Sequence, residues 1–360
     1  MRKPHPLRPG DRVAVVSLSS GILGEDMCRH QVHLGERRLR AFGLEPVFMP
    51  NALRGADYLH DHPEARAADL KAAFADEGIA GILCAIGGDD TYRLLPCLME
   101  DEEFCRLVAE RPKLFSGFSD TTVNHLMLHR LGLVTAYGPN FLCDLAELSD
   151  DMLPYTERAF RGYLAGQEVR EIVASDRWYE ERTDFSPAAL GAPHPVHREE
   201  HGFELLQGTG CFRGRLWGGC LESLYDMLTS ARYPDEAAIC RRYGLIPQAG
   251  QWAGLLLFLE TSEEKPDPET LRREIQALRE RGAFDEAAGV LVGKPQDECW
   301  YEEYKTVWRE AVGNPGLPIL YNVNFGHGLP RCALPYGVEA AVDAAAGRIT
   351  LLESMFDTAE

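Results

Sequence analysis

The sequence predicts an α/β protein in which a doubly wound parallel sheet is followed by a second α/β domain. Short apolar segments typical of buried strands alternate with polar segments whose apolar positions recur at helical spacing. The chain has 360 residues, which is enough for two separate hydrophobic cores. We expect residues 1–166 to form the N-terminal domain and residues 167–360 to comprise a connecting segment and the C-terminal domain.

Five strands and at least three helices are predicted in the N-terminal domain. The first strand is entered through the turn signal Pro9-Gly10-Asp11, and the first helix stops at Gly43. This alternation is typical of parallel strands with helices on both faces of the sheet. Strands are predicted at residues 12–18, 45–49, 79–86, 112–116 and 133–137, and helices at 26–42, at 64–75 and directly after the fourth strand.

The C-terminal domain follows a segment with no sustained period. Residues 168–210 are therefore predicted to be irregular. A helix over residues 268–281 begins after Pro266-Asp267 and stops at Gly282, as capped helices commonly do. Strands are also predicted at residues 210–219 and 252–260, a helix at 221–228, and short strands with one helix in the remainder.

Charge and composition argue against several classes of function. With 37 Lys and Arg against 56 Asp and Glu, the net charge of −19 disfavours nucleic-acid and membrane partners and favours a small-molecule or peptide substrate. No apolar run approaches the roughly 18 residues of a membrane span, and the chain start lacks a signal-peptide stretch, so we expect a cytoplasmic protein. The ten cysteines lack zinc spacing and are predicted to be buried, reduced thiols. His125 and His129 have helical spacing but no companion carboxylate motif, which argues against a metal there.

The segment Ser116-Gly-Phe-Ser-Asp-Thr-Thr122 lies between a predicted strand and a predicted helix. A serine at such a turn has its hydroxyl lifted out of the sheet, beside free backbone N–H groups and the positive end of the helix dipole. An acyl-transfer nucleophile needs this exposure and these donors. Ser119 is therefore a candidate nucleophile, with the alternative that Ser119 or Asp120 only caps the helix.

Paired glycines follow the third predicted strand, in Gly87-Gly88-Asp89-Asp90. They allow close approach of a ligand to the backbone and leave N–H groups free to bind an anion. The same pattern serves phosphates in sugar and NAD kinases, and it also suits a plain tight turn. A phosphoryl-transfer kinase is thus one alternative function, although no cluster of Lys and Arg is obvious near this turn. A non-catalytic two-domain ligand-binding protein is another.

Two further candidates lie in the C-terminal domain. Glu260 closes an apolar strand, where it either meets water or is held to orient an imidazole. His327 is flanked by Gly326 and Gly328, so it either faces a cleft or is a solvated loop residue. Each of these residues alone leaves both interpretations open.

An ordered set of motifs spans nearly the whole chain: Gly87-Gly88, Gly117-Phe-Ser-Asp120, Trp217-Gly-Gly-Cys-Leu-Glu222, Leu257-Phe-Leu-Glu-Thr-Ser-Glu-Glu264, Gly293-Lys-Pro295, Phe325-Gly-His-Gly328 and Leu334-Pro-Tyr-Gly337. Taken together, these motifs resemble the LD-carboxypeptidase family of serine peptidases, whose branches include muramoyltetrapeptide carboxypeptidases and microcin C immunity proteins. The long middle segment with Ser175-Asp-Arg-Trp178, and the run that ends at Glu264, look more like the immunity branch.

The resemblance implies a catalytic triad of Ser119, His327 and Glu260, with the oxyanion held by the backbone N–H groups of Gly88 and Asp120. It also implies a flavodoxin-like N-terminal domain, a barrel-like sheet in the C-terminal domain, a homodimer, and no metal or organic cofactor. The implied substrate is an L,D-peptide bond of a murein tetrapeptide or the amide bond of a microcin C-type peptidyl or aminoacyl nucleotide. Candidate substrate contacts are Gly87, Asp89, Trp178, Cys220, Glu222 and Lys294.

Two positions depart from the family pattern. Cys220 stands where the family often has Asn, and Lys294 stands where it often has Arg. Both departures concern the choice of substrate more than the reaction. Trp178 is a candidate to stack on a nucleobase, with packing in a cleft as the alternative.

Overall fold

The computed structural model describes residues 1–357, and this part of the chain divides into two compact units. The N-terminal unit comprises Met1–Glu168, Arg182–His194 and residues 355–357. The C-terminal unit comprises Val169–Glu181 and Pro195–Ser354. Among the described residues, no helix is both long enough and apolar enough to cross a bilayer.

The N-terminal unit is built on five parallel strands in the order β5-β4-β3-β1-β2. They are β1 (Arg12–Val16), β2 (Glu45–Phe48), β3 (Ile79–Cys84), β4 (Leu114–Gly117) and β5 (Ala136–Tyr137). This is the flavodoxin-type order, so the predicted doubly wound sheet is confirmed. The strand order reverses between β1 and β3, and the carboxyl ends of the strands at such a point usually form the ligand-binding crevice.

Helices connect these strands, and several of them have recognisable start signals. Pro63 is the first residue of one helix, and the Asp101 side chain accepts the Phe104 N–H at 3.0 Å at the start of another. The helices are α1 (Arg29–Ala41), α2 (Ala56–Asp61), α3 (Pro63–Ala75), α4 (Leu95–Met99), α5 (Glu102–Glu110), α6 (Thr122–Arg130) and α7 (Pro154–Arg161), with short 3₁₀ turns at Ile22–Gly24, Asp26–Cys28, Thr91–Leu94, Ser119–Thr121 and Pro187–Ala189 and a π turn at Phe141–Leu145.

The C-terminal unit is built on a mixed sheet of eight strands in the order β6-β16-β15-β10-β11-β12-β13-β9. The four central strands β10 (Cys211–Cys220), β11 (Leu255–Glu260), β12 (Gly289–Gly293) and β13 (Ile319–Val323) are parallel to one another. Antiparallel strands flank them: β6 (Glu171–Val173), β9 (Glu204–Gln207), β15 (Glu339–Asp343) and β16 (Arg348–Leu351). The other elements are β7 (Arg177–Tyr179), β8 (Val196–Arg198), β14 (Leu334–Pro335), α8 (Leu221–Thr229), α9 (Glu236–Tyr243), α10 (Pro268–Arg279), α11 (Ala283–Glu286), a 3₁₀ turn at Gln296–Glu298, and α12 (Tyr301–Val312).

The prediction that residues 168–210 are irregular was wrong in part. Strands β6 and β9 extend the large sheet at its two edges, while β7 and β8 pair with each other. Each of these strands has only three or four residues. So short a strand shows at most two alternations of side chain, which is too few for a period to be recognised in the sequence.

The cysteines also differ in part from the expectation. None of the ten, all of which lie in the described part of the chain, forms a disulfide bond. Cys97 and Cys211 are nevertheless exposed, and only five of the ten are buried.

A buried carboxylate attaches the segment Arg182–His194 to the N-terminal unit. Glu147 forms ion pairs with Arg182 and, at 2.8 Å, with Nε2 of His194, and all three side chains are at most 8% exposed. Farther along the chain, the Met355 N–H donates to the Glu168 carboxylate at 2.8 Å. The N-terminal unit is thus completed by residues that follow strands of the other unit in the sequence.

A buried guanidinium connects the turns that follow β1 and β3. Arg66 on α3 is fully buried and donates to the carbonyl oxygens of Leu18 and Ser19, each at 3.2 Å. It also binds the Asp90 carboxylate at 2.5 and 3.1 Å. Because a guanidinium donates in a fixed planar fork, Arg66 holds these two turns at the carboxyl edge of the sheet.

Replacing Asp90 with Ala should destabilise the protein by about 3–5 kcal/mol, because Arg66 would lose its charged partner without access to water. Urea unfolding followed by circular dichroism measures this. The matched control is Glu110→Ala, which removes an exposed ion pair with Arg106 and should cost less than about 1 kcal/mol. Equal losses of stability in the two variants would contradict a structural role for the buried pair.

Candidate active site

Ser119 lies between β4 and α6 in a backbone conformation that is rare for its residue type. Its φ angle is +70°, in the left-handed region, where a side chain costs on the order of 1–3 kcal/mol. Two hydrogen bonds hold it there: its N–H donates to Oη of Tyr137 at 3.0 Å, and its carbonyl accepts from Oγ1 of Thr122 at 2.7 Å. Strain of this kind at a turn from strand to helix is typical of serine nucleophiles.

The paired glycines after β3 lie directly against this serine. A Cβ atom on Gly87 would stand 2.9 Å from Oγ of Ser119 and 3.3 Å from the backbone nitrogen of Asp120. A Cβ atom on Gly88 would stand 2.2 Å from Oγ of Ser19, and Gly88 has a φ of +150°. Only glycine fits at either position. The two glycines therefore bring a backbone segment next to the serine at the start of α6, where N–H groups have no partner within the helix.

The Asp120 side chain is buried behind this turn. Its carboxylate accepts hydrogen bonds from Oγ of Ser19 at 2.6 Å and from the Thr91 N–H at 3.0 Å. Burial raises the pKa of Asp120 to about 6 despite these two donors. The side chain thus connects the turns after β1, β3 and β4, and the predicted oxyanion role of Asp120 concerns only its backbone N–H.

The acidic residues of the glycine turn offer little to a phosphate-bound magnesium ion. The Asp90 carboxylate is hydrogen-bonded to Arg66 and, at 3.1 Å, to Arg93, whereas Asp89 is exposed.

His125 is buried and hydrogen-bonded to the Gly117 carbonyl. Within residues 1–357, no group of three or more His, Cys, Asp and Glu side chains is arranged to hold a metal ion.

In the C-terminal unit, Glu260 and His327 form a buried pair. Nδ1 of His327 lies 2.8 Å from Oε2 of Glu260, and the His327 backbone N–H donates to the same oxygen at 3.1 Å. The His327 side chain is 8% exposed and the Glu260 side chain is 1% exposed. A carboxylate that binds Nδ1 fixes the orientation and tautomer of an imidazole, which is the role that the sequence suggested for Glu260.

The glycines around His327 give this carboxylate its space. Gly326 has a φ of +79°, and a Cβ atom there would stand 2.3 Å from Cδ of Glu260. A Cβ atom on Gly293, at the end of β12, would stand 2.5 Å from Cβ of Glu260. The glycine that precedes His327 thus allows the approach of its buried partner.

A second carboxylate, at a position that the sequence pattern did not mark as functional, binds the other ring nitrogen of His327. Oε2 of Glu263 lies 2.9 Å from Nε2 of His327. Burial alone would lower the pKa of His327, but Glu260 and Glu263 together raise it to about 10. With a carboxylate on each ring nitrogen, this arrangement favours the imidazolium form of His327. The one available signal was the position of Glu263, three residues after Glu260.

Glu222 and Cys220, both predicted substrate contacts, are engaged within the C-terminal unit. The Glu222 carboxylate accepts the N–H and Oγ–H of Ser262 at 2.7 and 2.8 Å, and Sγ of Cys220 donates to it at 3.4 Å. Burial and the charge of Glu260 raise the pKa of Glu222 to about 7. Glu222 therefore anchors the loop between Glu260 and Glu263.

Trp178 and Lys294, two other predicted contacts, lie together. The Trp178 ring is stacked on that of His197, with centroids 4.1 Å apart and an angle of 16° between the planes. Nζ of Lys294 lies 5.2 Å from the centroid of the Trp178 ring. The Lys294 side chain is 1% exposed and binds Glu199 at 3.0 Å and Glu298 at 2.6 Å, so its charge is already balanced inside the protein.

Comparison with known families gives two matches that together cover most of the chain. Residues 13–138 match the LD-carboxypeptidase N-terminal domain, and residues 213–342 match the LD-carboxypeptidase C-terminal domain. A putative carboxypeptidase of Streptomyces coelicolor is 30% identical over 97% of this chain and 96% of its own length. A probable murein peptide carboxypeptidase of Bacillus subtilis is 28% identical over 95% of this chain and 92% of its own length.

Two solved structures share the fold, and one of them is also similar in sequence. The MccF-like protein of Streptococcus pneumoniae, crystallised in complex with AMP, is 49% identical and superimposes with a TM-score of 0.92 over 95% of this chain and 98% of its own. The microcin C7 self-immunity protein MccF shares the fold at 21% identity, with a TM-score of 0.80 over 99% of this chain and 100% of its own.

Replacing Gly326 with Ala should displace Glu260 from His327, because the added methyl group would overlap the Glu260 carboxylate. The left-handed backbone adds further strain, and we expect a loss of at least about 2 kcal/mol in unfolding free energy. Urea unfolding measures it. Gly316→Ala is the control, since the nearest atom to its added methyl group is 3.5 Å away. A Gly326 variant as stable as this control would contradict the described packing.

Proposed function

Because the chain belongs to the LD-carboxypeptidase family and is therefore a peptidase, we propose that it acts as a metal-independent serine hydrolase with Ser119, His327 and Glu260 as its triad. The observation that carries this proposal is the buried hydrogen bond between Glu260 and Nδ1 of His327. Because Nδ1 is bound to the buried Glu260, Nε2, which contacts the exposed Glu263 side chain, is the ring nitrogen that takes a proton from a nucleophile in this reaction. The strained backbone of Ser119 supports its role as that nucleophile.

The first half of the reaction is acylation of the enzyme. Ser119 attacks the carbonyl carbon of the scissile amide as neutral His327 removes the hydroxyl proton at Nε2. The negative charge that develops on the carbonyl oxygen is stabilised by the backbone N–H groups of Gly88 and Asp120. The approach of Gly87 to Ser119 supports this assignment, since it brings the glycine turn beside the nucleophile.

The second half releases both products. His327, now protonated, donates its Nε2 proton to the leaving nitrogen, and the C–N bond breaks. A water molecule then attacks the acyl-enzyme, with His327 again acting as the base, and the Ser119 hydroxyl is restored. Glu260 stays ionised throughout and stabilises the imidazolium that forms in each half-reaction.

The favoured substrate class is an aminoacyl or peptidyl nucleotide of the microcin C type. Support comes from the 49% identity to an MccF-like protein that was crystallised with AMP. Trp178, which is only half-buried, offers an aromatic surface on which a nucleobase could stack. A murein tetrapeptide with an L,D-peptide bond is the second candidate, supported by the murein peptide carboxypeptidase relative. A cytoplasmic location and a homodimer remain predictions.

Replacing Ser119 with Ala should lower kcat/KM for the true substrate by at least about 1,000-fold, because the covalent step is lost. Chromatography measures the release of the nucleotide or of the terminal D-amino acid. Ser186→Ala, an exposed serine in the same unit, is the control and should hydrolyse at the wild-type rate. A Ser119 variant that is folded and fully active would refute the triad, and binding without hydrolysis by the wild type would indicate the non-catalytic alternative.

Replacing Trp178 with Ala distinguishes the two substrate classes. Loss of stacking on a base is worth about 1–3 kcal/mol, so KM for an aminoacyl sulfamoyl adenosine should rise by roughly 5- to 150-fold. KM for a murein tetrapeptide should not change. Trp300→Ala, which removes an exposed indole, is the control. Equal effects on both substrates would argue against a nucleobase site at Trp178.

A further inference from the structure

The imidazole of His327 has carboxylate partners on both ring nitrogens, and the proposed reaction uses only one of them. Glu260 binds Nδ1 at 2.8 Å, and Glu263 binds Nε2 at 2.9 Å. Each ring nitrogen has a single in-plane direction for a hydrogen bond. Glu263 and a nucleophile are therefore alternative partners for Nε2, and both cannot bind it at once.

The two carboxylates differ in their surroundings. Glu260 is 1% exposed and closes strand β11, whereas the Glu263 side chain is 65% exposed and lies in the loop that follows. A solvated side chain can leave the ring and regain hydrogen bonds to water at little cost, whereas a buried one cannot. Glu263 is therefore the partner that can be exchanged.

The loop that carries Glu263 is anchored on both sides of this residue. Glu222 binds the N–H and hydroxyl of Ser262, and Lys265 binds the Asp297 carboxylate at 2.5 Å. Glu263 lies between these two anchors. A change of the Glu263 side-chain rotamer can therefore uncover Nε2 while both ends of the loop stay anchored.

We propose that Glu263 is a positioning residue that keeps His327 protonated and its Nε2 covered in the free enzyme, and that bound substrate displaces it. The inference rests on the triad proposed above. A protonated imidazole hydrogen-bonded to Glu263 cannot accept the serine proton, so displacement of Glu263 is what makes His327 a base. Substrate binding and activation of the base are thereby coupled.

The other charged groups around His327 cannot take over the role of Glu263 in keeping the ring protonated and Nε2 covered. Glu260, at the end of β11, is unchanged in all the variants that test the proposal. Glu222 on α8 adds negative charge beside Glu260. Lys294 packs its backbone against Gly328 but directs its ammonium group to Glu199 and Glu298. Glu263 is therefore the exchangeable group that holds the charge of His327.

The decisive variant is Glu263→Gln, and its pH–rate profiles carry the test. The profile of kcat/KM reports the free enzyme, and that of kcat reports the substrate complex. Activity rises with pH as His327 loses its proton, so removal of a charge that raises the His327 pKa moves the acidic limb to lower pH. We expect the limb of kcat/KM to move down by at least about one unit, which raises kcat/KM about tenfold at a pH below that limb.

The limb of kcat should already lie lower in the wild type and should move much less, because Glu263 has left His327 in the complex. Glu263→Ala, which removes the hydrogen bond as well, should reproduce both results. Glu264→Gln is the matched control: it removes the neighbouring exposed carboxylate, which binds Arg232 at 2.7 Å, and should leave both limbs in place. Equal movement of the two limbs, or no movement of either, would overturn the proposal.

A titration without substrate separates this proposal from the proposed function. The His327 resonances of the intact protein, identified by their absence in His327→Gln, are followed by NMR as pH is raised. We expect the pKa of His327 to fall by at least about one unit in Glu263→Gln and to stay unchanged in Glu264→Gln. An active enzyme with an unchanged titration overturns the role of Glu263 alone. A shifted titration in a protein that hydrolyses neither substrate overturns the proposed function and, with it, the displacement of Glu263 by substrate.

Discussion

The carboxylate of Glu260 is the group on which the arrangement around His327 depends. An isolated charge that is 1% exposed would be costly, and this one is stabilised by the ring and the backbone N–H of His327. The position exists because β11 ends there, inside four parallel strands, and because Gly293 and Gly326 leave room for the side chain. Neither glycine nor the carboxylate can be changed independently of the others.

In the N-terminal unit, a different set of buried polar contacts holds the turns around Ser119. Three turns at the carboxyl edge of its sheet must meet closely enough to surround Ser119. Arg66 holds two of them through Asp90 and backbone carbonyls, and the Asp120 carboxylate joins the third through Ser19 and the Thr91 N–H. These buried polar groups bind one another directly, which holds the strained backbone of Ser119 in place.

Much of this could be predicted because it has a local cause. Periodicity predicts the alternation of strand and helix. Residues that suit unusual backbone angles predict the turn around Ser119 and the turn with the paired glycines. The short strands in residues 168–210 could not be predicted, since they depend on pairing with distant segments. The contact of Glu263 with His327 spans 64 positions, and the internal use of Glu222 and Lys294 likewise becomes evident only when their partners are known.

The path of the chain has a consequence for how the protein is made. The chain passes between the two units after residues 168, 181, 194 and 354. A ribosome therefore delivers the whole parallel sheet of the N-terminal unit before Arg182 and His194 exist to neutralise Glu147. A nascent chain at that stage lacks two of the side chains that bind Glu147, and we expect it to reach its mature stability only after synthesis has moved into the next unit. The N-terminal unit is therefore complete only after part of the C-terminal unit has been synthesised, so the two units cannot be made strictly one after the other.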